Sequence, residues 1–155
     1  MDAIFNRTSI RKYKQESLKK EEIDLILKAA FSAPSARNSQ PWQFIVVQDK
    51  GTLKDLSQMT PYASFLKDAA MGMVVCADKN KNDSLDYCQQ DLAAATENML
   101  IEAKSLGIGS CWLGVYPNEE RYLAINQYFK LPKGIVPMWM ISFGYIDQEE
   151  AVKDK

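Results

Sequence analysis

A chain of 155 residues, 46% apolar and 25% charged, has the size and composition of one globular domain, so a single domain over residues 1–155 is expected. Nineteen Lys and Arg against twenty Asp and Glu leave a net charge of −1, which argues against nucleic-acid binding by bulk charge. The chain has no histidine, which excludes Ser-His-Asp and Cys-His catalysis and the common His-bearing zinc sites, and no metal site is expected.

Residues 1–7 read as a short helix anchored by Ile4 and Phe5, and residues 7–14 as a polar, basic, extended stretch. Ser17 suits the cap of a helix over about residues 18–33, with Glu21 and Glu22 favoured in its first turn. Ile23, Ile26, Leu27, Ala30 and Phe31 recur at the spacing of one buried helical face, and Pro34 ends the run. Pro41 leads into a strand over residues 42–48. Two short helical segments, 52–60 and 62–67, precede an apolar strand over 71–77 and a polar loop over 78–84.

The longest helix spans about residues 85–106 and is closed by Gly107. Its middle, around Ala93, Ala94 and Ala95, is apolar on more than one side, which places it at the centre of the core or of a dimer. A strand over 108–115, a helix from Asn118 to about Phe129 and a last strand over 136–146 complete the chain. Alternation of helix and strand by itself favours an α/β parallel sheet, with a mixed sheet left open. Cys76, Cys88 and Cys111 form no C-x-x-C pair and read as buried core thiols. With no apolar signal region at the N-terminus and no apolar run long enough for a membrane span, the cytoplasm is the expected compartment.

Three polar clusters carry the candidate chemistry. In an extended stretch, period two puts Arg7, Ser9 and Arg11 on one side, where two guanidinium forks and a hydroxyl suit a phosphate; a solvated basic stretch is the plainer alternative. Residues 33–42 offer amide donors and acceptors that match the edge of a heteroaromatic ring, or simply a helix stop and strand entry. Gly107 and Gly109 do not complete a dinucleotide fingerprint, because residue 112 is Trp and the helix precedes the glycines. That stretch remains a strand whose small residues let a flat ligand approach the backbone.

Taken together, R-x-S-x-R-x-Y (Arg7 to Tyr13), A-P-S-x-x-N-x-Q-P-W-x-F (Ala33 to Phe44), G-x-G-S-C-W-L-G (Gly107 to Gly114) and S-F-G-Y-I (Ser142 to Ile146) resemble the signatures of the nitroreductase family over nearly the whole chain. The resemblance implies an α+β, three-layer fold with a mixed, largely antiparallel sheet flanked by helices, in a homodimer with FMN at the subunit interface. This expectation replaces the parallel sheet. It also implies an oxidoreductase that passes hydride from NADH or NADPH through FMN to electron-poor small molecules, such as nitroaromatics or quinones, by a ping-pong route. Carried over by position, Arg7, Thr8, Ser9 and Arg11 hold the FMN phosphate, and Pro34, Ser35 and Asn38 approach the flavin from the partner subunit. Leu113 and Gly114 lie against the ring, and Lys153 and Lys155 are the candidates for further phosphate contacts. A non-catalytic flavin carrier, or a flavin-dependent reductase of another substrate class on the same fold, shares these residues, and a purely structural domain binds no flavin.

Overall fold

The structure, a computed structural model, describes residues 2–150. Its elements are α1 (Asp2–Asn6), α2 (Lys20–Phe31), β1 (Trp42–Val47), α3 (Lys50–Ser57), β2 (Met71–Asp78), α4 (Leu85–Ser105), β3 (Ile108–Gly114), α5 (Glu119–Phe129) and β4 (Ile135–Tyr145). Short 3-10 helices occupy Ala36–Asn38 and Ser64–Asp68.

Local chemistry sets most boundaries. The Asp49 side chain accepts the Thr52 N–H at the start of α3, and Asn118 accepts that of Arg121 at the start of α5. Helix α2 departs from the expected Ser17 cap. The Glu22 carboxylate reaches back to the Lys19 N–H at 2.8 Å, so Lys19 is the cap and the helix starts one residue later. It stops at Phe31 because a residue before proline is pushed out of the helical region, and Pro34 follows closely.

The four strands run in the order β1-β2-β4-β3, and every neighbouring pair is antiparallel. The parallel sheet suggested by alternation fails for a topological reason. Val47 faces Gly72, so the connection from β1 to β2, with α3 and the Ser64–Asp68 turn, leaves and re-enters the sheet at the same end. Gly114 likewise faces Trp139, so α5 lies on a connection that returns at one end. Only α4 is a crossover: β2 and β3 both oppose β4 and are therefore parallel to each other, with β4 inserted between them.

The sheet is covered on both faces. Met71, Met73, Val75, Ile141 and Phe143 pack under α2 and α4 in one core, joined by Ile26, Leu92, Ala95 and Met99. Val74, Cys76, Met140 and Leu113 belong to the other, with Leu53 of α3, Leu66 and Ile125 of α5. Alternate residues of β2 thus enter opposite cores, as a central strand requires. Helix α1 departs from expectation. Ile4 and Phe5 do not anchor it within the chain but stand 54% and 72% exposed. Cys76, Cys88 and Cys111 are free and buried, as the sequence suggested. Among the described residues no helix is long and apolar enough to cross a membrane.

Residues 9–13 add a partial fifth strand. Ser9 bridges Ser110 of β3 and Tyr13 bridges Ile146. This docking needs glycine beneath it: a Cβ on Gly109 would sit 2.8 Å from Ile10, and one on Gly144 2.8 Å from the Tyr13 ring. The Tyr13 hydroxyl is buried 2.6 Å from both the Ile10 carbonyl and the Ser142 Oγ. Overpacking such a site costs about 1–3 kcal/mol. Gly109→Val is therefore expected to lower the thermal midpoint, at about 2–4 °C per kcal/mol for a chain of this size. A Gly109→Val midpoint equal to that of the wild type in a calorimetric scan would contradict this packing.

Candidate functional site

The docked N-terminal segment presents the first predicted cluster. Because Ile10 and Tyr13 are fixed in the core, their neighbours are turned outward: Ser9 and Arg11 are exposed, and Arg7 is half-buried. The segment lies along β3 at Ser110, beside the buried Cys111 thiol. Burial pushes that thiol up, and Arg11, the Ser9 hydroxyl and Arg7 all act to lower it. The Arg7 Nε is 3.7 Å from the Glu97 carboxylate of α4, and the Arg11 guanidinium lies 5.9 Å from the centre of the Phe65 ring. Thr8 Oγ1 is buried and has no hydrogen-bond partner. Gln148 fixes the backbone here, its Oε1 accepting the N–H groups of Arg11 at 2.8 Å and Lys12 at 3.0 Å.

The second cluster forms the connection between α2 and β1. Pro34 and Asn38 are exposed and Ser35 is half-buried. Arg37, Asn38 and Gln40 have φ of 55°, 53° and 49°, a left-handed backbone that costs a non-glycine residue on the order of 1 kcal/mol. Asn tolerates it best. Internal bonds hold the shape: the Gln40 N–H donates to Ser35 Oγ at 3.0 Å, and its side-chain amide to Asn38 Oδ1 at 3.1 Å. Backbone groups also tie the loop to the body of the fold. Ala36 N–H donates to Asp91 Oδ1 of α4 at 2.9 Å, and Asp78 N–H donates to the Pro41 carbonyl.

The third cluster is the outer edge of the sheet. The Ser110 carbonyl accepts the Ile10 N–H, so it points away from β4. Residues 112 and 114 share that orientation, because alternate residues of a strand turn their backbone groups the same way. The N–H groups of Trp112 and Gly114 therefore lie on the free edge, one step beyond the docked segment. The Leu113 side chain is buried in the second core and its backbone groups turn toward β4, so the edge is offered by its neighbours Trp112 and Gly114. Above Gly114 a Cβ would meet nothing within 4 Å, which leaves the backbone open to a flat group. Trp112 is packed against Trp139, with ring centroids 4.8 Å apart, and the Trp139 Nε1 donates to Thr96 Oγ1 of α4 at 2.9 Å.

The structure thus brings Arg7, Thr8, Ser9 and Arg11 beside the edge that ends in Leu113 and Gly114. Pro34, Ser35 and Asn38 stand on a separate loop, and Lys153 and Lys155 lie outside the described residues. The residues present suit an FMN phosphate: two guanidinium groups, a serine hydroxyl and a threonine oxygen that lacks a partner. Sequence reasoning assigned no role to Asp91, Glu97 or Gln148. For Asp91 a signal existed: an acid on the apolar stripe of α4, between Cys88 and Leu92. Gln148 lies 137 residues from its partner Arg11 and carried no local signal.

A model of the Nitroreductase family matches residues 4–60 and 53–145. A protein of Archaeoglobus fulgidus, provisionally named an NADH dehydrogenase/NAD(P)H nitroreductase, is 47% identical over 148 residues, covering 95% of this chain and 85% of its own. A solved FMN-dependent nitroreductase from Clostridium difficile superposes with a TM-score of 0.92 at 37% identity, over 99% of this chain and 92% of that one. A structure from Desulfovibrio desulfuricans, provisionally a nitroreductase and solved in complex with FMN, gives 0.89 at 29% identity, over 99% and 90% of the two chains.

Burial pushes the Cys76 thiol up to about 12 and raises those of Cys88 and Cys111, the last despite its cationic neighbours. Since the thiolate is the reacting form, all three should stay unreactive in the native protein through pH 8. A thiol-disulfide colour reagent is expected to titrate fewer than one thiol per native chain at pH 8 and three after denaturation. Rapid native labelling of Cys111 would show that the clamp does not cover it.

Proposed function

The chain belongs to the Nitroreductase family, and from that premise we propose that it is an FMN-dependent oxidoreductase that takes electrons from NADH or NADPH and delivers them to electron-poor small molecules. The observation that carries the reading is the meeting of an arginine clamp, Arg7 to Arg11, with the unpaired outer edge of β3 at Trp112 and Gly114. FMN, when bound, supplies the two-electron chemistry, which side chains do not supply.

The chain's own residues bind and orient. Arg7, Ser9 and Arg11 hold the phosphate through charge-assisted hydrogen bonds, and Thr8 Oγ1 gains the partner it lacks. Lys153 and Lys155 add positive charge to the same group; in support, the segment before them is tied to the clamp through Gln148 and through Asp147 N–H to the Lys12 carbonyl. The backbone N–H groups of Trp112 and Gly114 donate to the ring edge, and the open space over Gly114 admits a planar donor or acceptor. Donor and acceptor use this space in turn, which makes the cycle ping-pong, with nitroaromatics or quinones as acceptors and the cytoplasm as its place.

Pro34, Ser35 and Asn38 complete the site from a second copy of the chain. The clamp and the loop attach to α4 at Glu97 and Asp91, six residues apart, which puts them about 120° apart around the helix and on different sides of it. That separation supports walls drawn from two different chains. The apolar surface left on α1 at Ile4 and Phe5, and at Phe31 beside the loop, suits burial in a homodimer.

Anaerobic titration of the FMN-loaded protein with NADH and then NADPH, followed by a quinone, tests the reading. Flavin absorbance is expected to bleach with one donor or both and to return with the acceptor. Bands that never bleach would point to a flavin carrier, and a protein that takes up no FMN would defeat the proposal. Arg11→Ala removes a charged hydrogen bond of about 1.5–3 kcal/mol, so FMN affinity should fall roughly 10- to 100-fold in an equilibrium titration. Undiminished affinity would remove Arg11 from the phosphate site.

A further inference from the structure

Asp91 lies near the middle of α4, 6% exposed, in a stripe otherwise made of Cys88, Leu92, Ala95 and Met99. Its Oδ1 accepts the Ala36 N–H at 2.9 Å, and its Oδ2 is buried with no partner. Neither Lys nor Arg pairs with it among the described residues. A half-satisfied buried carboxylate is an unfavourable way to fill a helix face on which alanine or leucine would pack. What it holds is the connection Ser35–Gln40, in which three of six residues, Arg37, Asn38 and Gln40, have left-handed backbones. A segment in sparsely populated conformations persists only when its surroundings over-determine it.

The ties that do so differ in kind. The bonds through Ser35 Oγ and Asn38 Oδ1 are internal to the loop and move with it. Lys81 Nζ reaches the Gln40 carbonyl at 3.3 Å on the exposed side, and Asp78 holds Pro41 at the exit. At the Ser35–Asn38 end the part-buried bond from Ala36 to the buried Asp91 side chain is the attachment to the fold. We infer that Asp91 is a positioning residue: its carboxylate pins Ala36 to α4 and so fixes the conformation in which Ser35 and Asn38 are presented to the flavin. The inference rests on the reading of this loop as a flavin wall.

The bond can be cut from either side. Asp91→Ala removes the acceptor, and Asp91→Asn keeps an oxygen where Oδ1 stands while removing the charge. Ala36→Pro removes the donor, and Ser35, at φ −144° and ψ 151°, already has the backbone that precedes proline readily. Two readouts are taken: amide exchange over residues 36–40 in the FMN-free protein, and the FMN dissociation constant from flavin fluorescence. Asp91→Ala should speed exchange of the loop amides and weaken FMN binding, each about tenfold, while Asp91→Asn stays within about twofold of the wild type. Ala36→Pro should weaken FMN binding as well, and the double variant should bind no more weakly than the worse single one.

Unchanged exchange and affinity in Asp91→Ala, additive losses in the double variant, or an Asp91→Asn as weak as Asp91→Ala would each overturn the inference. Should Asp91→Ala fail to fold, Ala36→Pro decides in its place, and wild-type affinity there overturns the inference equally. A wild-type protein that takes up no FMN defeats the flavin reading instead, and exchange over 36–40 still decides whether Asp91 pins the loop.

Discussion

One buried hydroxyl organises the N-terminal third of the site. The Tyr13 oxygen lies 2.6 Å from the Ile10 carbonyl and from the Ser142 Oγ, so it locks the extended segment to itself and to the central strand β4. Burial drives the Tyr13 pKa far above its ordinary value, against the hydrogen bond to Ser142, so the group stays a neutral phenol. With Ile10 committed to the core, its neighbours Ser9 and Arg11 turn outward beside β3, and the alternation breaks before Tyr13 re-enters the core. The cationic clamp is therefore a consequence of packing. It persists only while the bare backbones of Gly109 and Gly144 leave room for Ile10 and Tyr13.

Helix α4 is the second organising element. It makes the only crossover in the sheet, fills the centre of one core, and carries the polar groups that reach each part of the site. Asp91 holds the Ala36 amide, Thr96 holds the Trp139 indole under Trp112, and Glu97 stands 3.7 Å from Arg7. The three are not equivalent. The Thr96 bond is buried and the Asp91 bond part-buried, where an unmade bond is expensive, whereas the Arg7–Glu97 contact is partly exposed and weak. Arg7 can therefore leave Glu97 at little loss.

The order of elements was legible in the sequence because it rests on local periodicity and caps. Asn118 and Gly107 stand where they were expected, and the stripes of α2 and α4 face the core except at Phe31, which the last turn of α2 leaves 57% exposed. Strand direction was not legible from alternation, because a helix between two strands does not reveal which end of the sheet its connection returns to. The family signatures supplied that answer. The site divides in the same way. Arg7, Ser9 and Arg11 declare themselves through period two, but the partners that fix them are distant. Gln148 binds the backbone 137 residues away, and Asp91 binds an amide 55 residues away, so no window of sequence contains either pair. Ile4 and Phe5 look like core anchors in sequence because apolar character alone does not say whether the chain's own core reaches them.

The central claim is that each flavin is held by the clamp of one chain and the loop of another, and subunit mixing tests it most directly. Arg11→Ala and Asn38→Ala chains are each prepared, then unfolded and refolded together. If the walls come from different chains, a mixed dimer places both defects in one site and leaves the other intact. Random pairing then restores wild-type FMN affinity and NAD(P)H oxidation to about one quarter of the sites. If clamp and loop of one chain serve the same flavin, every site keeps one defect, and the mixture shows only the average of the two weakened proteins.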